Sequence, residues 1–314
     1  MFLLADGPRF ASRLAGRAVS VWPAAAGDAA RLPSPVREAL LPGSDPGAVA
    51  EIPVPGWPVA VAVEIAPRSQ FDALAELPGG PAVLPDRFLA VAGSGRGFHG
   101  QRGRPWVALP GNLHLVAFAR VELPAAAAAG PLAALPAVAL VAAIDSLPGF
   151  AGRAAVKWVN DVLLEGRKVA GALARTWTRG GRVTGLLLGI GLDVEATPEV
   201  PDDPLAPGVV SLAEATPPGA PAPVLADAFA AVAASLAAHL DLLAAGRGRE
   251  LVSRYRERAG FLGREVVVEP DPLLPGEPAR PVVRGRVVGL GEGLELRIEG
   301  HDAPVTAGRL RLAR

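Results

Sequence analysis

The 314-residue chain contains no cysteine, which excludes disulfides, a thiolate nucleophile and thiolate-bound zinc. Histidine is sparse as well. His99, His114, His239 and His301 lie far apart and show no metal-ligand spacing, so no metal held mainly by protein side chains is expected. Net charge is also absent. Lys and Arg number 31, as do Asp and Glu, so no field of one sign draws the chain to nucleic acid or to an anionic membrane. The N-terminal MFLLADGPRF lacks the basic leader and apolar core of a secretory signal. The uncharged stretch 123–144 is long enough to span a bilayer, but Pro124, Gly130, Pro131 and Pro136 interrupt it. It reads as a buried helix through 137–144 with Pro136 in its first turn. These absences point to a cytoplasmic protein with neither a membrane nor a nucleic-acid partner.

Glycine (37 residues) and proline (33 residues) are abundant, and alanine inflates the hydrophobic fraction, a compositional bias rather than an architectural signal. Residues 1–58 have little sustained periodicity and no helix-turn-helix pattern, and form an extension of unassigned role. Strands are expected at 59–65, 87–92, 113–121, 162–164, 169–173 and 183–188, with a short helix at 71–77. Leu225, Phe229, Val232, Leu236, Leu240 and Leu243 recur at three- and four-residue steps, which predicts a helix over 224–244. A second helix is expected over 249–258. Short strands at 266–269, 282–288, 294–298 and 303–312, separated by Gly and Pro, suggest a small barrel appended to an α+β core.

Two stretches carry chemistry. In AAVKWVNDVLLEGRKVAGAL, residues 154–173, two cations, a carboxylate and an amide (Lys157, Lys168, Asp161 and Asn160) sit around apolar strands. Buried there, such groups are costly unless a ligand or a partner satisfies them. The same pattern also fits a strand pair with a solvated turn at Glu165-Gly166-Arg167. The second stretch is the loop GSGRGFHGQRGRPW, residues 93–106. Its glycines free backbone N–H groups to face an anion, and Arg96, Arg102 and Arg104 add positive charge. Trp106 could stack on a purine. No Gly-Lys-Ser/Thr follows, so this is not a Walker loop, and a flexible surface hairpin would look alike.

The first stretch resembles the K-W-P-N-D-(apolar)-G-K-K-(apolar)-A-G run of biotin–protein ligases. Arg102-Gly103-Arg104-Pro105-Trp106 and the following Pro110-Gly111-Asn112-Leu113 are similar to the family's Gly/Arg loop and P-x-G-N-L strand. Ser211-Leu212, Tyr255-Arg256 and Leu262-Gly263 continue the likeness in the same order, over roughly 59–314. The resemblance implies a mixed sheet flanked by helices over 59–261 and an SH3-like barrel over 262–314. It also implies a two-step acyl transfer, in which ATP and biotin form biotinyl-AMP and a lysine of a biotin carboxyl carrier domain attacks it. Mg2+ would accompany the nucleotide, and a homodimer is possible.

By the same resemblance Lys168 contacts the biotin carboxylate and acyl phosphate, and Asp161 lies near the reacting centre. Arg102 and Arg104 would stabilise developing charge. Asn160 and Trp106 would lie along the adenine and ribose, and Gly171 would permit close approach of the acid. Ser69, Gln70, Gly95, Arg96, Gln101, Gly103 and Asp193 complete the expected binding set. This chain departs from the pattern in several places. The loop is longer, and Arg96 or His99 stands for one arginine while Gln101 replaces another. Arg68-Ser69-Gln70 replaces the Ser-Thr-Asn expected near the vitamin's polar head, and Val159 replaces proline. Asp193 replaces the asparagine of G-I-G-I-N, and as a carboxylate it could accept from an adenine amino group but not donate to a ring nitrogen. The departures keep two other readings in view: a ligase or transferase for lipoate, octanoate or another short acid, and a non-catalytic adenylate- or vitamin-binding protein.

Overall fold

Strand residues of alternating face organise the molecule, and the computed structural model describes residues 1–17, 19–25, 27–201, 208–271 and 281–313. The chain runs β1 (Phe2–Ala5), α1 (Pro8–Ala15), β2 (Val21–Pro23), α2 (Ser34–Leu40), β3 (Ala48–Glu51), β4 (Val59–Ala66), α3 (Gln70–Ala75), β5 (Phe88–Gly95) and β6 (Leu113–Pro124). It continues through α4 (Ala125–Asp145), β7 (Ala154–Lys157), β8 (Asp161–Leu164), β9 (Arg167–Arg179), β10 (Arg182–Leu192), α5 (Leu225–Ala244) and α6 (Gly248–Glu257). The last elements are β11 (Glu265–Glu269), β12 (Val283–Leu290), β13 (Leu296–Ile298) and β14 (Arg309–Leu312).

Ten strands form one mixed sheet in the order β2-β3-β1-β4-β5-β6-β10-β9-β8-β7. The pairs β1/β4 and β4/β5 are parallel and the others antiparallel. Residues 1–58, which showed no strong periodicity, supply three strands of this sheet, and β1 pairs in register with β4 through Phe2↔Val59 to Ala5↔Ala62. The expected boundary at 58 therefore falls between two hydrogen-bonded neighbours.

Alternation assigns each strand residue to one of two cores. Ala60, Ala62, Leu89, Val91, Leu115 and Leu188 pack with α1, α4 and α5. Val59, Val61, Val63, Phe88, Val116 and Leu187 pack with α2 and α3 on the opposite face. That second cover is short. It shields the β1–β4–β5 half and leaves the β6–β10–β9–β8 half open, which is where the cavity forms.

Helix α4 begins at Ala125, well before the expected start near Pro136, and holds both Pro131 and Pro136 inside it. The alanine run favours helix, and burial against the sheet, α5 and α6 outweighs the hydrogen bonds the two prolines remove. The helix is long and apolar enough to cross a membrane, as is α5, but much of it is buried within the fold. The final four strands form an antiparallel sheet ordered β13-β12-β11-β14. The strand expected over 303–312 is confined to β14, with Val305 making an isolated pair with Leu296.

This small sheet is anchored to the large one. Trp158 Nε1–H donates to the Leu294 carbonyl at 2.7 Å, and Arg256 donates to the carbonyls of Leu290 and Gly291 at 3.1 and 3.0 Å. Gly130 of α4 lies against the Glu292 carbonyl so closely that a Cβ would overlap it. Gly to Ala inside a helix ordinarily stabilises by about 0.5–1 kcal/mol. Gly130→Ala should instead destabilise, and urea denaturation of the variant is the measurement that checks the sign.

Candidate active site

One row of residues in register crosses the open half of the sheet. Lys157 pairs with Asp161, Asp161 with Gly171, Gly171 with Gly191, and Gly191 with His114. Directly opposed residues share a face, so this row projects into the region α2 and α3 leave uncovered. Lys168 should not join it. It precedes Gly171 by three residues, and strict alternation would turn it to the other face. A β-bulge at β8/β9, where Val162 faces Ala170 but Leu163 faces Lys168, restores it to the cavity side and buries Val169 and Ala170 beneath. Bulges commonly re-aim a side chain in this way.

Asp161 is the hub. Its carboxylate lies 2.7 Å from Lys168 Nζ and 3.5 Å from Lys157 Nζ. Burial opposes ionisation, but Lys168 and Lys157 outweigh it and hold the carboxyl below its usual range. Lys157 is shifted downward, first by burial and then by the neighbouring Lys168 charge against the pull of Asp161. These are the sequence's two lysines; its other 29 basic residues are arginine. The adjoining turn is fixed from below, because Tyr255 O–H donates to the Val159 carbonyl at 2.8 Å. Asn160 is engaged with the Ala172 carbonyl through its side-chain amide.

Glycines form the floor. A Cβ at Gly191 would run into the Trp106 ring, one at Gly189 would approach Phe71 at 3.0 Å, and one at Gly171 would crowd Lys168 and Asp161. The Trp106 ring stands 5.6 Å from Lys168 Nζ, within cation–π reach. Its Nε1–H donates to His114 Nδ1 at 3.3 Å, and His114 Nε2 lies 3.2 Å from the Leu109 carbonyl. An indole nitrogen only donates, so His114 carries its proton on Nε2. Burial lowers its pKa to about 4. At the rim, His99 Nε2 lies 2.9 Å from Asp72 and Nδ1 lies 3.0 Å from the Gly100 carbonyl. Two acceptors suit the charged ring, and the Gly100 carbonyl followed by Asp72 raises its pKa.

The cavity measures about 440 Å³. Of the residues expected in the site, Lys168, Asp161, Arg104, Ser69, Gln101, Trp106, Asn160, Gly171 and Asp193 line it. Gln70, Gly95, Arg96, Arg102 and Gly103 are not among its lining residues. Gln70 is buried with neither amide atom hydrogen-bonded, Arg96 is exposed, and Arg102 lies 3.8 Å from Asp271. Ser69 caps α3, its Oγ accepting from the Asp72 N–H at 3.3 Å. Asp193 corrects an expectation. Burial pushes its carboxyl up to about 8, against Lys168 and Asn112, so at neutral pH it is protonated and able to donate. His99, named as an alternative to Arg96, lines the cavity, the sequence reading missed Phe98 and His114, and Arg309 reaches the cavity from β14. No group of three or more His, Asp or Glu suited to a metal exists among the described residues, and no step below passes through Mg2+.

The site lies within a stretch with known relatives. Residues 84–193 match the biotin/lipoate A/B protein ligase family. It is 37% identical over 145 residues to the biotin–[acetyl-CoA-carboxylase] ligase of Paracoccus denitrificans, covering 46% of this chain and 55% of that one. It is 30% identical over 189 residues to the bifunctional ligase/repressor BirA of Escherichia coli, covering 59% and 53%. The chain thus spans about half the length of the curated relatives it matches. The biotin protein ligase of Aquifex aeolicus, solved with biotin and ATP, shares the fold at TM-score 0.59 and 19% identity, over 81% of this chain and 98% of that one.

The unfolded chain takes up a proton on His114 near pH 6.5, whereas the native chain resists until about 4. Unfolding therefore binds protons between those values, and stability should rise with pH across that window. His114→Asn keeps an acceptor for Trp106 without a titrating ring and should flatten the rise, as read by urea denaturation at stepped pH.

Proposed function

We propose that this protein is an ATP-dependent biotin–protein ligase, acting in the cytoplasm on a lysine of a biotin carboxyl carrier domain. The observation that carries the reading is the Lys157–Asp161–Lys168 cluster in a cavity that Phe71, Phe98, Val116 and Leu173 also line. An apolar body with a carboxylate at one end suits that lining. The four C-terminal strands serve as the expected SH3-like domain, with Arg309 closing the cavity's edge.

In the first step a biotin carboxylate oxygen attacks the α-phosphorus of ATP, the bond to the bridging oxygen breaks, and pyrophosphate leaves. Lys168 supports the carboxylate and the charge that builds at phosphorus, and Arg104 adds to the same field. In the second step the acceptor amine attacks the acyl carbon, the carbon–oxygen bond to AMP breaks, and the amine gives up a proton to solvent. Asp161 holds both ammonium groups in place. Its depressed pKa makes it a weak proton acceptor, so its role is orientation. Preorganised charge of this kind is the main tool for such steps.

Purified protein should catalyse ATP–pyrophosphate exchange that depends on biotin, and Lys168→Ala should lower it by about 100-fold or more without changing the thermal midpoint. Exchange driven by lipoate or octanoate instead would keep the chemistry and replace the acid. Folded protein silent with all three would point to a binding protein.

A further inference from the structure

The Gly/Arg loop is folded back on itself at the rim of the cavity. Trp106 N–H donates to the Phe98 carbonyl at 3.0 Å and Gly100 N–H to the Arg104 carbonyl at 2.7 Å, with His99 opposite Pro105. These pairings make a short hairpin, so Arg104 and Trp106 move only as it moves. At its root the Phe98 ring lies where a Cβ on Gly95 would overlap it, and it meets His114 edge-on at 5.5 Å. A hairpin this short is marginal in water by itself, and beyond Phe98 it needs a tether. His99 supplies one across to α3. Its Nε2–H donates to both Asp72 oxygens, at 2.9 and 3.0 Å, while Nδ1–H donates to the Gly100 carbonyl at 3.0 Å. The two side chains are 30% and 28% exposed, shielded enough for the pair to outlast surface screening.

The other charged groups nearby have partners of their own or face elsewhere. On α3, Glu76 is paired with Arg68. On the hairpin, Arg104 Nε–H donates to the Gln101 carbonyl and its charge acts on Asp161 and Lys157. Arg102 lies 3.8 Å from Asp271, and Arg96 is exposed. His114 on β6, beyond the Phe98 ring, is neutral above about 4. The Gly100 carbonyl first, and Asp72 after it, raise the His99 pKa against the effect of burial.

We propose that His99 and Asp72 form a latch that holds the hairpin, and with it Arg104 and Trp106, against the cavity, and that loss of the imidazole proton loosens it. The charged ring donates from both nitrogens. A neutral ring keeps one N–H and turns a lone pair on either the Asp72 carboxylate or the Gly100 carbonyl. Both contacts favour the proton, so the hold is complete below the ordinary imidazole value of 6.5 and is lost as pH rises through the higher native value. Opening carries Arg104 away from the Asp161 cluster, so a ligand that needs Arg104 binds more weakly in proportion to the open fraction. The latch goes beyond the ligase reading and holds whatever acid or nucleotide the cavity takes.

Trypsin digestion of the full chain without added ligand, with cut sites read by mass spectrometry, tests it. Arg102 at the hairpin tip is the reporter, normalised to Arg179 in the β9–β10 turn to remove any global destabilisation. At pH 6 Asp72→Asn should be cut at Arg102 about tenfold faster than the wild type, the difference between a charge-assisted and a neutral hydrogen bond. At pH 9 the two should be cut alike. Comparing proteins at one pH cancels the pH dependence of the protease. His99→Gln should match Asp72→Asn, and the double variant should be cut no faster than either, because one interaction is removed in all three. Wild type and Asp72→Asn cut alike at pH 6, or differing by the same factor at both values, would overturn the latch. In biotin-dependent pyrophosphate exchange, Asp72→Asn should raise the KM for ATP at pH 6 by a larger factor than it lowers kcat, and the gap should close at pH 9. That arm rests on the ligase reading. No exchange at all, beside the expected digestion pattern, removes that reading and leaves the latch standing.

Discussion

The carboxylate of Asp161, held between two ammonium groups, is the interaction on which the cavity depends. Alone, any of the three charges would be driven toward its neutral form by burial. Together they leave one more positive charge than negative, with Arg104 close enough to act on both Asp161 and Lys157. Burial lowers the pKa of Lys157 first, and the neighbouring Lys168 and Arg104 charges add to that. An anion entering the cavity would supply the missing negative charge, which is the charge balance the proposed carboxylate or phosphate would bring.

The sheet brings this cluster together. Register sets Lys157, Asp161, Gly171, Gly191 and His114 in one row, and the bulge brings Lys168 into it. Bare backbone at Gly171, Gly189 and Gly191 keeps the floor low enough for the Trp106 ring to lie over it. The short cover of α2 and α3 leaves that floor open, while α4, α5 and α6 seal the other face. Binding geometry and core packing are thus divided between the two sides of the same strands.

What could be read from the sequence was local. Lys157, Asn160, Asp161 and Lys168 fall within twelve residues, so a strand pair was enough to bring them together, and the amphipathic spacing of α5 was equally clear. Residues 1–58 were opaque because β1, β2 and β3 are three or four residues long, too short for alternation to register. The Gly/Arg loop was opaque for another reason. Its composition shows that an anion could be cradled but not which side chains turn inward. Arg104 and Gln101 do line the cavity; Arg96 is exposed, and Arg102 lies near Asp271. Trp106 and His114 meet only through tertiary geometry. The neutral state of Asp193 depends on burial that no spacing encodes.

One further sequence signal was available. A chain that uses arginine for 29 of its 31 basic positions treats the two cations as interchangeable almost everywhere, so composition alone would have made Lys157 and Lys168 arginines. They are not interchangeable beside Asp161. A guanidinium is planar and broad, binds carboxylates two oxygens at a time, and keeps its charge under any burial. Two of them could not both meet one carboxylate at the bottom of a glycine-floored cavity and still leave a face for a bound acid. An ammonium is a compact point charge that can turn from Asp161 toward an entering anion without repacking its stem. The two lysines thus stand where a small, reorientable charge has an advantage over a guanidinium, which supports the proposed role of this cluster independently of any resemblance.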